Sequence, residues 1–170
     1  TTELDTLKDQ IDQIVSSLID SNKNFIIIYP NNDNGTDIII KKIHELENNK
    51  NFRIFPSIRF LYFLTILKHA KFILGNSSAA VREAEVFGTP AINIGSRQKN
   101  RSKNKEIINV EPKKDLILNA IQNIENIRFD EKSFFGYVEN TTEKFLNVLQ
   151  NPLVWNISIQ KQFIDIWKRV

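Results

Sequence analysis

The stretch Gly75–Arg101 reads GNSSAAVREAEVFGTPAINIGSRQKNR, and its reading decides the fold. Three of the five glycines of the chain fall between Gly75 and Gly95, so special backbone geometry is concentrated here. Before it, Lys71–Leu74 is an apolar run of strand length that ends at Gly75-Asn76. Ser77 and Ser78 are N-cap residue types, and Ala79 to Phe87 then reads as a helix. Gly88-Thr89-Pro90 stops that helix, Ala91–Ile94 predicts a second buried strand, and Gly95 opens a polar loop carrying Arg97 and Arg101. The unit is strand, serine turn, helix, strand, arginine loop, which is the repeat of a parallel α/β sheet.

Such a unit is suited to holding an anion. The first turn of a helix has unpaired N–H groups and a partial positive charge, and the two serine hydroxyls stand beside it. Arg97 follows the next parallel strand and would reach the same sheet edge, where ligands of open α/β sheets sit. Glu83, about one turn into the predicted helix, is a poor phosphate ligand but a good acceptor for sugar or ribose hydroxyls. Phosphate donors together with a diol acceptor fit a nucleotide. The same spacing is also that of an ordinary βαβ turn with a serine cap, and spacing alone leaves both open.

Working outward, Leu4, Leu7, Ile11, Ile14, Val15 and Leu18 recur at helical spacing and predict an amphipathic helix over Glu3–Asp20. Phe25–Tyr29 (FIIIY) is a continuous apolar run, as a buried parallel strand requires. Pro30-Asn31-Asn32-Asp33-Asn34-Gly35 forms the loop at its carboxyl end, followed by a helix through Ile39, Ile40, Ile43 and Leu46. Phe52–Phe55 is a third strand, and Pro56–Phe60 leads into an apolar helix ending near His69, in which Phe60 and Phe63 fall at core spacing. On the other side, Glu106–Val110 reads as a strand and Pro112 begins a helix to about Glu125. Asn126–Phe135 is a polar link, Phe134-Phe135-Gly136-Tyr137 a turn, and Asn140–Leu149 a helix. Ile159, Phe163, Ile166, Trp167 and Val170 lie on one face of a last helix. The expected fold is a Rossmann-like, doubly wound parallel sheet over residues 1–150, with residues 151–170 as a terminal helix that crosses to a further domain or closes this core.

Composition narrows the function classes. The 170 residues are 41% hydrophobic and 25% charged, with a net charge of +3 whose basic residues are scattered. Lys99–Lys105 (KNRSKNK) is the one local basic run, and it suits a phosphate loop better than a nucleic-acid surface. There is no cysteine, hence no disulfide or thiolate metal site, and Asp33 and Asp37 lack partners at ligand spacing, so no metal is called. No apolar run approaches the ~20 residues that span a bilayer, and no signal peptide is visible, which makes the cytoplasm the expected compartment. His44 and His69 lie in polar helix stretches and read as solvated. No residue is assigned a catalytic role, because no convincing acid–base pair is present. Position 1 is not Met, so the chain is expected to be part of a longer one.

Gly75-Asn76-Ser77-Ser78, Arg82-Glu83, Phe87-Gly88-Thr89-Pro90, Ile92-Asn93-Ile94-Gly95 and Arg97-Gln98, in that order, resemble the signature of the hydrolysing UDP-N-acetylglucosamine 2-epimerases. The resemblance implies the carboxyl-terminal half of a two-domain glycosyltransferase-B fold. It implies an enzyme that makes N-acetylmannosamine and UDP for sialic acid synthesis, by eliminating UDP and adding water to the resulting glycal, with no cofactor. It assigns UDP to Ser77, Ser78, Glu83, Arg97, Asn31 and the backbone at Ile58, with Gln98 and Arg101 as supports. The acid and base would lie in an amino-terminal domain absent from this chain, and the full enzyme would be a homo-oligomer. The family has Gly where this chain has Ala80, which implies an extra methyl near the phosphate turn. A GDP-sugar 2-epimerase, a glycosyltransferase of the same fold and a non-catalytic sugar-nucleotide-binding module are the alternatives.

Overall fold

The computed structural model describes residues 4–99, 101, 107–124, 127 and 140–156. Helix α1 (Leu4–Asp20) leads to strand β1 (Phe25–Ile28), helix α2 (Thr36–His44), strand β2 (Phe52–Phe55) and helix α3 (Phe60–His69). Strand β3 (Ile73–Gly75), a three-residue 3-10 turn (Ser78–Ala80), the one-turn helix α4 (Glu83–Val86) and strand β4 (Ala91–Ile94) follow. Strand β5 (Ile108–Val110) and helix α5 (Lys114–Ile124) complete the α/β unit. Residues 1–135 and 136–170 form two compact units.

Every ladder is parallel, as the continuous apolar runs predict, but the strands fall into two sheets. β1 pairs with β2, and β3, β4 and β5 pair in that order. One apolar cluster underlies both. It gathers Val15 and Leu18 of α1, Ile117, Ala120, Ile121 and Ile124 of α5, and Phe52, Ile92 and Ile94 of the strands. Phe25, Ile27, Ile54, Leu74, Ile108 and Val110 pack against it, so alternate residues of all five strands face one helical layer. A smaller cluster of Leu67, Ala80, Ala84 and Ala91 covers the opposite face of β3 and β4 beneath α3 and α4. Helices on both faces of parallel strands make this a Rossmann-like α/β fold.

Ion pairs and caps join the first layer. Lys42 on α2 meets Asp12 of α1 at 2.8 Å and Glu45 at 2.7 Å; the bond to Asp12, then that to Glu45, hold the ammonium above its ordinary pKa. Gln13 Oε1 of α1 accepts from the Lys114 N–H at 3.1 Å, satisfying one donor at the open end of α5.

Several sequence expectations need correction. The helix expected from Ala79 to Phe87 is broken: the 3-10 turn ends at Ala80, Arg82 takes φ −121° and ψ −74°, and only Glu83–Val86 is α-helical. Tertiary packing overrides propensity here, because Ala80, Val81 and Ala84 are all drawn into the interior. α2 stops at His44, and Leu46 is buried in the turn beyond it. Phe60 is exposed at the start of α3 and stacks on Phe63 at 6.4 Å, while Phe63 alone packs on the smaller cluster. α5 begins at Lys114, two residues past Pro112. In the second unit, α6 (Thr141–Gln150) is capped by Asn140, whose Oδ1 accepts from the Glu143 N–H at 3.0 Å, and Asn151 caps α7 (Pro152–Trp155). The Asn126–Phe135 link (Ile127 apart), the Phe134–Tyr137 turn and the apolar face of Ile159 to Val170 lie outside the described residues.

Candidate nucleotide site at the carboxyl edge

Gly95 ends β4 with φ +78°, a conformation open to glycine at little cost, and its N–H donates to the Val110 carbonyl at 2.9 Å. The chain thus leaves the sheet sharply, and Ser96–Lys99 closes into a turn through the Lys99 N–H to Ser96 carbonyl bond of 2.9 Å. Within that turn the two neighbours Arg97 and Gln98 go opposite ways. Gln98 is 4% exposed, and its Nε2 donates to the Asn76 carbonyl at 2.8 Å, tying the arginine loop to the serine turn. Its Oε1 accepts from Arg101 Nη1 at 3.4 Å. Arg97 is half exposed, and its Nη2 lies 3.3 Å from Asp33 Oδ2.

Asp33 belongs to the loop after β1, so this ion pair brings the carboxyl ends of the two sheets to one edge. That loop has its own scaffold. The Asn31 carbonyl accepts from Thr36 Oγ1 at 2.6 Å and from the Asp33 N–H at 2.8 Å, and Gly35 takes φ +86° before α2. The Asn31 residue itself is exposed.

The serine turn differs from the helix start that the sequence predicts. Ser77 Oγ accepts from the Ala79 N–H at 3.3 Å, the Ala80 N–H bonds the Ser77 carbonyl at 3.2 Å, and the Val81 N–H bonds the Ser78 carbonyl at 3.0 Å. Three of the amides that an open helix terminus would offer an anion are therefore engaged, and the side-chain donors beside the turn are the serine hydroxyls and Arg97. Ala80 is 2% exposed and packs in the smaller cluster, so its methyl enters the core rather than the concave side of the turn. Glu83 is partly buried, and its Oε2 is buried with no hydrogen-bond partner. A carboxylate oxygen withdrawn from water and unbonded is costly unless a donor completes it.

Of the residues singled out in the sequence, the structure joins Arg97 to the Asn31 loop and Gln98 to the serine turn, with Arg101 bonded to Gln98. Ile58 lies part-buried between β2 and α3 and belongs to neither apolar cluster. Two participants escape sequence reading. Asp33, considered in the sequence only as a metal ligand, pairs with Arg97 64 positions away, and Asn76 acts through its backbone carbonyl, which no side chain signals. His44 is exposed as expected but bonded, to Glu47 through Nδ1 and to the Tyr29 hydroxyl at 3.3 Å through Nε2. Among the described residues no group of three metal-ligating side chains occurs, and no helix is long and apolar enough to cross a membrane.

Comparison with known proteins agrees with the motif. The family model for UDP-N-acetylglucosamine 2-epimerase matches residues 1–150. The chain is 44% identical over 169 residues to a UDP-N-acetylglucosamine 2-epimerase of Neisseria meningitidis, covering 98% of this chain and 45% of that protein. It is 34% identical over 161 residues to polysialic acid biosynthesis protein P7 of Escherichia coli, covering 94% of this chain and 39% of that protein. The crystal structure of the Methanocaldococcus jannaschii UDP-GlcNAc 2-epimerase, in complex with UDP-GlcNAc and UDP, superposes with a TM-score of 0.68 at 21% identity. That match covers 84% of this chain and 41% of the archaeal one. The chain thus spans less than half the length of the relatives it matches, and its fold is the Rossmann-like carboxyl-terminal half of a glycosyltransferase-B type enzyme. By motif, fold and overall identity, it belongs to the UDP-N-acetylglucosamine 2-epimerase family.

Proposed function

We propose that this chain is the UDP-binding domain of a hydrolysing UDP-N-acetylglucosamine 2-epimerase, which forms N-acetylmannosamine and UDP for sialic acid synthesis. The observation that carries the reading is the convergence of three carboxyl-edge loops, through the Arg97–Asp33 pair and the Gln98–Asn76 bond. In this reading Arg97 exchanges Asp33 for the diphosphate. That exchange is inexpensive, because an exposed ion pair is worth at most ~1 kcal/mol. Ser77 and Ser78 donate their hydroxyl protons to phosphate oxygens, and Glu83 Oε2 gains the ribose hydroxyls as the donors it lacks. Asn31 and the backbone at Ile58 meet the nucleoside, while Gln98 and Arg101 hold the arginine loop in place.

The chemistry is an elimination followed by hydration. A base takes the proton from C2, the C1–O bond breaks with its electron pair going to the diphosphate, and water then adds across the glycal. Negative charge grows on the departing diphosphate, so donors aimed at it stabilise the transition state more than the substrate. Arg97 and the serines serve the leaving group. The base and the acid come from an amino-terminal domain outside this chain, in an enzyme that is homo-oligomeric and cytoplasmic.

Calorimetric titration with UDP, GDP and N-acetylmannosamine, repeated with Arg97→Ala, tests the reading. Preferential UDP binding that Arg97→Ala weakens at least ~10-fold is the expected result, the size of one charge-assisted hydrogen bond. UDP binding indifferent to Arg97 would contradict it, and a preference for GDP would reassign the base.

A further inference from the structure

We propose that Asn34 is a site of spontaneous covalent modification: it closes with Gly35 to a succinimide and reopens as an aspartyl or isoaspartyl residue, whose carboxylate weakens the nucleotide edge. Asparagine is thermolabile because its side-chain amide is open to attack by the backbone nitrogen that follows it. Glycine in the following place favours the attack, since no Cβ crowds the nitrogen and the backbone turns freely. Asn34-Gly35 is the one Asn-Gly step among the 170 residues, and it lies in the loop that carries Asn31 and Asp33.

The loop presents both partners. Asn34 is exposed, and neither its side chain nor the Gly35 N–H has a hydrogen-bond partner among the described residues. The Thr36 N–H donates to the Asp33 carbonyl at 3.2 Å, which makes Asn34 and Gly35 the central residues of a turn. Gly35, at φ +86° and ψ 3°, is the second of them, the place where type II turns favour glycine. Gly35 is itself covered, so the turn opens before its nitrogen reaches the Asn34 side chain. The bonds that open are the longer ones, 3.2 Å at Thr36 and 3.4 Å between the Ile39 N–H and the Gly35 carbonyl. The two at the Asn31 carbonyl, 2.6 and 2.8 Å, stay in place. Asn31 to Asn34 are all exposed, which makes this opening a local event of low free energy.

In the first step the Gly35 nitrogen bonds to Asn34 Cγ and the Cγ–Nδ2 bond breaks. Nδ2 leaves as ammonia, carrying the proton that the Gly35 nitrogen gives up. Water then opens the ring at one of its two carbonyls. Attack at Cγ restores the main chain and leaves aspartate; attack at the main-chain carbonyl leaves isoaspartate, whose link to Gly35 runs through the side chain and is one methylene longer.

Either product adds a negative charge next to Asp33, whose Oδ2 lies 3.3 Å from Arg97 Nη2. The added carboxylate strengthens the hold on Arg97 and repels an incoming diphosphate. The longer link of isoaspartate also undoes the Asp33–Thr36 turn. This weakening rests on the UDP reading, whereas the modification does not.

The folded protein is incubated for days in mildly alkaline buffer, then digested for peptide mass spectrometry and for labelling by an isoaspartate methyltransferase. Asn34 should convert faster than every other asparagine, Asn76 before Ser77 included, and Asn34→Gln should abolish the isoaspartate label from this peptide. Retention of the Asn34 amide after other asparagines have converted, or conversion only in urea-unfolded protein, would overturn the proposal. Calorimetry with UDP reads the consequence: aged protein and fresh Asn34→Asp should both bind about 2- to 5-fold more weakly, the size of one exposed charge pair. Unchanged affinity in both would overturn the weakening. Fresh protein that binds no UDP would sink the earlier reading and the weakening with it, while the mass spectra decide the modification either way.

Discussion

The carboxyl edge is built in two ways on its two sides. Over β3 and β4 the loops are anchored from within: Gln98 is buried and bonded to Asn76, and the 3-10 turn seats Ala80 in the core. Over β1 the Asn31–Gly35 loop is held by its own backbone bonds, and its ion pair across to the other sheet is the half-exposed Asp33–Arg97 contact. The difference separates two tasks. Buried neutral hydrogen bonds fix where the phosphate donors stand, and an exposed, replaceable ion pair leaves the arginine available to an incoming anion.

The largest expected effect comes from removing the arginine. Arg97→Ala should lower UDP affinity about 10- to 100-fold, the ~1.5–3 kcal/mol of a hydrogen bond to a charged group, with a urea midpoint close to wild type. Calorimetry and a urea titration separate the two effects, and a large stability loss would show that Arg97 is structural. Next is Gln98→Ala, which strips the Asn76 carbonyl of a buried donor and should cost about 1–3 kcal/mol of stability, read as a lower urea midpoint at unchanged slope. UDP affinity should fall with it, since the serine turn loses its tether. Gly95→Ala meets open space but φ +78°, so it should cost about 1 kcal/mol through the backbone alone. The smallest effect is expected at the surface pair. Asp33→Asn should change stability by less than ~0.5 kcal/mol while tightening UDP binding a few-fold, because the nucleotide no longer displaces a carboxylate. Weaker binding in Asp33→Asn would mean that Asp33 helps to hold the nucleotide, and the two-sided picture would need revision.

Much of this was legible in the sequence because the signals are local. AINI announces its burial by its apolar run and Leu7, Ile11, Ile14 and Leu18 by their period, whereas FIIIY, expected to be a buried strand, is only partly covered, with Ile26 48% exposed; the serine and arginine loops are punctuated by glycines. What escaped is non-local. Ala79–Phe87 has helical propensity throughout, and only the packing of Ala80, Val81 and Ala84 against other elements breaks it. Asp33 gains its meaning from a partner brought near by the fold, and the division of the strands into two ladders depends on which neighbours are present, which no strand encodes by itself. The orphaned Glu83 oxygen is likewise a property of its surroundings, although the residue type was already suggestive of a diol acceptor.

The central claim is that the three carboxyl-edge loops form one nucleotide site. An amide-resolved NMR titration with UDP tests it most directly. The account predicts saturable shifts in Asn31–Asp33, Asn76–Ala80 and Gly95–Gln98, all fitting one dissociation constant, with Ile117–Ile124 unmoved. Saturable shifts confined to α5, or none at the edge loops, would contradict it.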